Sequence, residues 1–271
     1  MVAGLPDISF DDTKLPCTME QLREEVLPLL DATDRQLLDL LLLPTDNRNL
    51  LALLKDKDAP TAAGGLYAAD QLAGLIAGVR EGDPDAGHRM PAYMRDFIEA
   101  FDTLRPEEWI MAEDMLWGYY YAYAMQSRNH FVSEWFGFNL NTNNLLAAWT
   151  ARKYRMDVSR VVVGDTEICR QLKTSTARDF DVADEIDCFE QIQHVASMED
   201  WVERERKLDQ LRWNQLDAMT EFDYFTIERI FVFAVKLQLL QRWVALDKDK
   251  GQAKFRQIIQ SLKEEVKIPV G

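Results

Sequence analysis

An all-α protein built from repeated helical modules is what this sequence predicts, on three observations. Apolar residues recur at three-to-four spacing through most of the chain, the period of a helix face and not of a strand. Helix start signals recur ahead of those stretches, with a hydroxyl residue followed three positions later by Gln. Finally, Asp46-Asn-Arg-Asn-Leu-Leu-Ala-Leu-Leu-Lys-Asp-Lys57 is nearly repeated by Asn141-Thr-Asn-Asn-Leu-Leu-Ala-Ala-Trp-Thr-Ala-Arg152, about 95 residues later.

Thr18-Met-Glu-Gln21 and Thr33-Asp-Arg-Gln36 both have the form of a capping box and predict two short helices, the first disturbed by Pro28. Asp46–Lys57 carries Leu50, Leu51, Leu53 and Leu54 on a broad apolar face and predicts a third helix, broken by Asp58-Ala-Pro-Thr-Ala-Ala-Gly-Gly65. The turn formers from Gly82 to Pro91 predict an exposed loop. Pro106 suits the first position of a long helix running to about Gly137, and Asn139–Tyr154 predicts the next.

Val161-Val-Val163 is a short β-branched run that predicts one brief extended piece before Gly164 and a cap at Asp165. Ser197-Met-Glu-Asp200 opens a charged helix bearing Trp201, Leu208, Leu211 and Leu216. A last helix is expected on Phe255, Ile258, Ile259, Leu262 and Val266. Modules are expected at 1–105, 106–198 and 199–271.

A formal charge of −15 repels a phosphate backbone, so nucleic acid is a poor partner. It also opposes adsorption to anionic lipid. The apolar runs Leu37–Leu43 and Ile230–Leu240 are each interrupted by a charge and fall short of the roughly 20 residues a membrane span requires. With no basic leader ahead of an apolar run, a cytoplasmic chain without direct membrane insertion is expected. Cys17, Cys169 and Cys188 are odd in number and widely spread, which predicts thiols in a reducing compartment.

No catalytic residue, cofactor or metal ligand set is predicted. His88, His130 and His194 belong to no paired ligand motif, and Glu190 with His194 at i,i+4 is one pair without a second. Phe10-Asp11-Asp12 lacks the further carboxylate a diphosphate-bound metal needs, and Gly64-Gly65 lacks the Lys of a phosphate loop. Trp117, Tyr119, Tyr120, Tyr121 and Tyr123 form the one candidate ligand surface, though neighbouring helical positions point different ways and favour core packing. Glu203-Arg-Glu-Arg-Lys207 predicts a solvated helix face or an interaction surface.

The repeated segment shares a pattern: a polar residue, Asn three later, an apolar face, then basic residues. Asn49 stands with Lys55 and Lys57, and Asn144 with Arg152 and Lys153. An Asn near a helix start bonds exposed amides, while terminal Lys or Arg suits the negative end of the helix dipole. Phe225–Lys236 shares the apolar-then-basic outline without the Asn.

Asn141–Asp157, followed by Val163-Gly-Asp-Thr-Glu-Ile168, resembles the signature region of the central-stalk C (or d) family of V/A-type rotary ATPases. Asp46–Lys57 resembles an earlier copy, and Ile227–Gln257 resembles the closing segment of that family. Thr150 stands where a basic residue is usual, and Gln238 and Gln241 where acidic ones are common. From Ala3-Gly-Leu-Pro-Asp7 to Glu265-Val-Lys-Ile-Pro269 the chain is also similar to a bacterial family of unknown function whose genes tend to lie among those of V-type ATPase subunits.

The resemblance implies a funnel of three related helical modules, a non-catalytic stalk component peripheral to the inner membrane. Its partners would be the rotor shaft subunits and the membrane rotor ring. Asn49, Asn144, Arg152 and Lys153 are the interaction candidates it selects. The competing expectation is a helical ligand-binding protein or enzyme using residues 116–123.

Overall fold

A computed structural model describes residues 2–246. Twelve α-helices and four short 3-10 helices are found among the described residues, with no strand. The all-α class predicted from periodicity therefore holds for this part of the chain. The helix expected on Phe255–Val266 lies outside the described residues.

The chain divides into two compact units, Ala32–Ser197 and Met1–Asp31 with Met198–Gly271. The second unit brings the amino-terminal segment together with the last long helices. It contains α1 (Met19–Val26), opened by the predicted capping box: the Thr18 hydroxyl accepts from the Gln21 amide at 3.2 Å, and the Gln21 side chain accepts from the Thr18 amide at 2.8 Å. Pro28 falls in the 3-10 turn Leu27–Leu29 that ends it, because proline removes a helical donor.

The larger unit begins with α2 (Ala32–Asp39), which starts one residue before Thr33, so Thr33 lies inside the helix and not at its cap. Next come α3 (Leu43–Lys55), α4 (Ala69–Glu81), a short α5 (Pro84–His88) and α6 (Ala92–Phe101). The stretch read as a loop from Gly82 to Pro91 thus holds a turn of helix. Gly82, at φ +76°, closes α4, Asp83 accepts from the Asp85 amide, and Pro84 supplies the first helical position.

Beyond the 3-10 helix Pro106–Met111 lie α7 (Ala112–Ala124) and α8 (His130–Lys153). The long helix expected from Pro106 to Gly137 therefore breaks at residues 125–129, and Gly137 sits inside α8. Local side chains make the break: Ser127 Oγ accepts from the Asn129 amide, and Asn129 Oδ1 caps α8 by accepting from the Val132 amide at 3.0 Å. Such residues offer the backbone an alternative to helical bonding.

The unit closes with α9 (Glu167–Thr174), capped by Thr166 and not Asp165, and α10 (Phe189–Ser197). Its core is carried by contacts of α3 with α4, α6 and α7, of α7 with α6 and α8, and of α8 with α9 and α10. The other unit ends with α11 (Trp201–Met219) and α12 (Ile227–Ala245), which pack together while α12 also meets α1. Asp200, the last residue of the segment expected to open this helix, caps α11, accepting from the amides of Val202 and Glu203.

Candidate functional site

The near-repeat in the sequence is also a repeat in structure. Burial runs the same way, residue for residue, along 47–53 in α3 and 142–148 in α8: only the third position of the polar-Asn pattern, Arg48 or Asn143, faces solvent. Asn49 and Asn144 are both buried in the middle of their helices.

Each amide makes the same pair of bonds. Asn49 Nδ2 donates to the Ala62 carbonyl at 2.9 Å while its Oδ1 accepts from the Ala62 amide at 2.8 Å. Asn144 Nδ2 donates to the Val163 carbonyl at 2.7 Å while its Oδ1 accepts from the Val163 amide at 2.9 Å. A carboxamide carries one acceptor and donors side by side, so it imitates a neighbouring strand and satisfies both backbone groups of one residue. The role suggested by sequence, capping the helix that carries the Asn, is replaced by a clamp on the loop that follows it.

The same geometry explains Val161–Val163. The β-branched run finds no strand, because the rung it would have paired is supplied by Asn144. Cys169 completes this site, buried with its sulfur 3.2 Å from the Val163 carbonyl and 3.4 Å from Asn144 Nδ2.

In the first copy the clamp is extended by Asp46, one helical turn before Asn49. Its buried carboxylate accepts from the amides of Leu66 at 2.7 Å and Tyr67 at 3.2 Å. A side chain at Gly65 would place Cβ 2.2 Å from Asp46 Oδ1. Gly65→Ala is therefore expected to force this loop off the carboxylate and lower stability by about 1–3 kcal/mol, the cost of leaving a buried polar group unsatisfied, read as a fall in urea midpoint.

Arg152 ends the second copy with a different task. Its guanidinium donates to the carbonyls of Ala177 and Ser175, the latter at 2.8 Å, and lies 3.4 Å from the centroid of the Phe180 ring. Phe180 and Asp181 have φ of +58° and +59°, a left-handed backbone unusual for such residues, so Arg152 holds a strained loop. Lys153 is exposed beside Tyr154, Arg155 and Met156. Of the four interaction candidates, then, two are buried, one is spent on its own chain, and Lys153 alone is presented outward.

The aromatic segment does not gather around one space. Tyr120 is buried, its hydroxyl donating to the Leu40 carbonyl at 2.8 Å and its ring packed edge-on against Phe136 and Trp117. Tyr119 turns toward Phe97 and Tyr123 toward Tyr93, and Tyr123 stays partly exposed. Burial, with the Asp46 carboxylate adding to it, pushes the Tyr67 hydroxyl up to about 12, and burial likewise raises Tyr93 and Tyr120. Neutral phenols are thus favoured by the fold. The stability that Tyr67 contributes in this way is full below pH 10 and is lost as pH rises from 10 through about 12. A tyrosinate absorbance titration should show part of the tyrosines ionising only with alkaline unfolding.

The smaller unit holds a polar cavity of about 490 Å³ between residues 2–11 and the α11–α12 pair. Lys236 lies in its wall, bonded to Asp217 at 2.5 Å and poised 4.5 Å from the Trp213 ring centroid. Burial lowers the Lys236 ammonium below the usual lysine range, against the pull of Asp217. Phe10 is buried edge-on against Trp213, and Asp11 bridges Arg206 at 2.7 Å. Arg206, read from sequence as part of a solvated run, is therefore a tertiary contact, as is Glu205 through Arg242 at 3.6 Å. Nothing in the local pattern distinguishes these two charges from their neighbours.

The same helix pair carries a buried charge centre that sequence reasoning missed. Asp209, inaccessible to solvent, accepts from Arg212 at 3.0 Å, from Trp243 Nε1 at 2.8 Å and from Arg242. Arg212 is at i+3, a legible spacing, but Arg242 and Trp243 arrive from the next helix. Among the described residues no cluster of three His, Cys, Asp or Glu is placed to hold a metal, and no helix is long and apolar enough to cross a membrane.

Neither the curated proteins nor the solved structures include a match to this sequence. A family model described as "Protein of unknown function (DUF2764)" matches residues 1–266, and the chain belongs to that family.

Proposed function

We propose that the chain is a non-catalytic central-stalk component of a V/A-type ATPase, of the C (or d) kind, joining rotor shaft to membrane ring. The observation that supports this reading is the duplicated clamp. Resemblance to that stalk family implies related helical modules, and Asn49 and Asn144 occupy matched positions and make matched bonds in α3 and α8. A third module would then lie in residues 199–271, completing a funnel with divisions near 105 and 198.

Transmission of torque requires stiffness and no acid, base or nucleophile. Close-packed interiors have low compressibility, so displacement at one surface is passed to another. Loops pinned to the middle of helices add to this by removing slack. The protein would stay on the cytoplasmic face, held at the inner membrane through the complex. Co-purification of the tagged chain with the shaft and ring subunits tests the reading; a chain recovered without any rotor component from cells that assemble the ATPase would refute it.

Direct structural features also favour the second reading, a helical ligand-binding protein. The half-buried Trp117, Tyr119 and Tyr121 with the exposed Tyr123 offer apolar bodies and polar tips, and the cleft beside Trp213 and Lys236 offers a polar volume open to solvent. Screening nucleotides, metals and small zwitterions by thermal shift separates the readings. A specific ligand whose effect is lost in Trp213→Ala or Tyr123→Ala would favour this one.

A further inference from the structure

The turn between α11 and α12 leaves three aromatic side chains in water within four residues: Phe222 is 82% exposed, Tyr224 68% and Phe225 80%. Single exposed apolar residues need no explanation, but a contiguous group marks an interaction site. The turn is presented from a fixed base. Thr220 is buried, its hydroxyl donates to the Leu216 carbonyl at 2.8 Å and accepts from Arg229 at 3.4 Å, and its carbonyl accepts from the Asp223 amide at 3.1 Å.

The flanks are acidic, with Glu221, Asp223 and Glu228 and no basic residue from Thr220 to Glu228. Chemistry then selects the occupant. Acidic flanks on a chain of net charge −15 are repelled by anionic headgroups, which disfavours insertion into the lipid itself. A second copy would bring like charge against like charge. Three aromatic side chains bury on the order of 150–250 Å² each, below the roughly 800 Å² per partner of a stable interface, so the turn suits an anchor set into a recess. Cytoplasmic loops of membrane proteins carry an excess of Lys and Arg. An apolar recess rimmed by such loops complements an acid-flanked aromatic turn in both respects.

We infer that the Phe222–Phe225 turn is a docking anchor for the basic cytoplasmic loops of a membrane protein, which, resting on the stalk reading above, is the membrane rotor ring. The ring is the partner this surface fits.

The test uses the full chain and the purified rotor ring reconstituted in vesicles, scored by flotation. Wild type should float with ring-containing vesicles and not with protein-free vesicles, whether zwitterionic or anionic. Phe222→Ser/Tyr224→Ser/Phe225→Ser and the charge reversal Glu221→Lys/Asp223→Lys should each bind on the order of tenfold or more weakly, as hot-spot losses do, with unchanged circular dichroism. Undiminished binding by the charge reversal or by a folded triple variant would overturn the inference, as would flotation of wild type with protein-free vesicles. Failure of wild type to bind the ring would also overturn it, and co-purification with the shaft subunits would then show whether the stalk reading survives.

Discussion

Asn144→Ala should damage the larger unit as much as many core truncations do, lowering stability by about 2–4 kcal/mol. It leaves the Val163 N–H without its acceptor in a half-buried loop, at a cost of about 1–3 kcal/mol, and takes the amide donor from a carbonyl that keeps the Cys169 thiol, a weak donor, at a further cost of about 1 kcal/mol. Asn144→Asp should not rescue it, because a carboxylate still accepts from the Val163 amide but has nothing to give its carbonyl. Asn49→Ala should cost less, about 1–2 kcal/mol, since Ala62 is exposed and water can replace the lost partners. Urea titrations of the three variants, followed by far-UV circular dichroism, give the order. Equal midpoints for Asn144→Ala and wild type would rule out the clamp as a stabilising device.

Asp209→Ala should have an effect of similar size in the smaller unit, about 3 kcal/mol. Removing one partner of a buried ion pair costs about 3–5 kcal/mol because the other charge remains without compensation. The lower end applies here. Arg212 is confined, with 15% of its side chain accessible, but Arg242 is 43% accessible and can regain water. Asp209→Asn should lose less, keeping an acceptor for the Trp243 indole. Urea unfolding followed by far-UV circular dichroism measures the change. A midpoint unchanged in Asp209→Ala would refute the assignment of this carboxylate as the hub of α11 and α12.

Helical class was legible because three-to-four apolar spacing survives any tertiary arrangement. Capping was legible where a side chain acts within one turn, as at Thr18, and misplaced where candidates stand side by side, as at Asp165 and Thr166. The break between α7 and α8 was hidden because Gly137 looks like the better breaker, while the work is done by Ser127 and Asn129 through bonds no periodicity reveals. Repetition singled out Asn49 and Asn144 without disclosing their task. Their partners, Ala62 and Val163, sit at different separations, 13 and 19 residues, so the two loops share no visible pattern. Beyond Arg212 at i+3, nothing marked Asp209, since a buried acid in a charged helix is spelled like an exposed one.

The position of the two clamps has a consequence for hydrogen exchange. A loop amide normally trades its proton with water quickly, yet those of Ala62 and Val163 are held by side chains rooted mid-helix. Their protons should leave at the pace at which α3 and α8 themselves open, so that two isolated loop sites report on the breathing of the helices behind them.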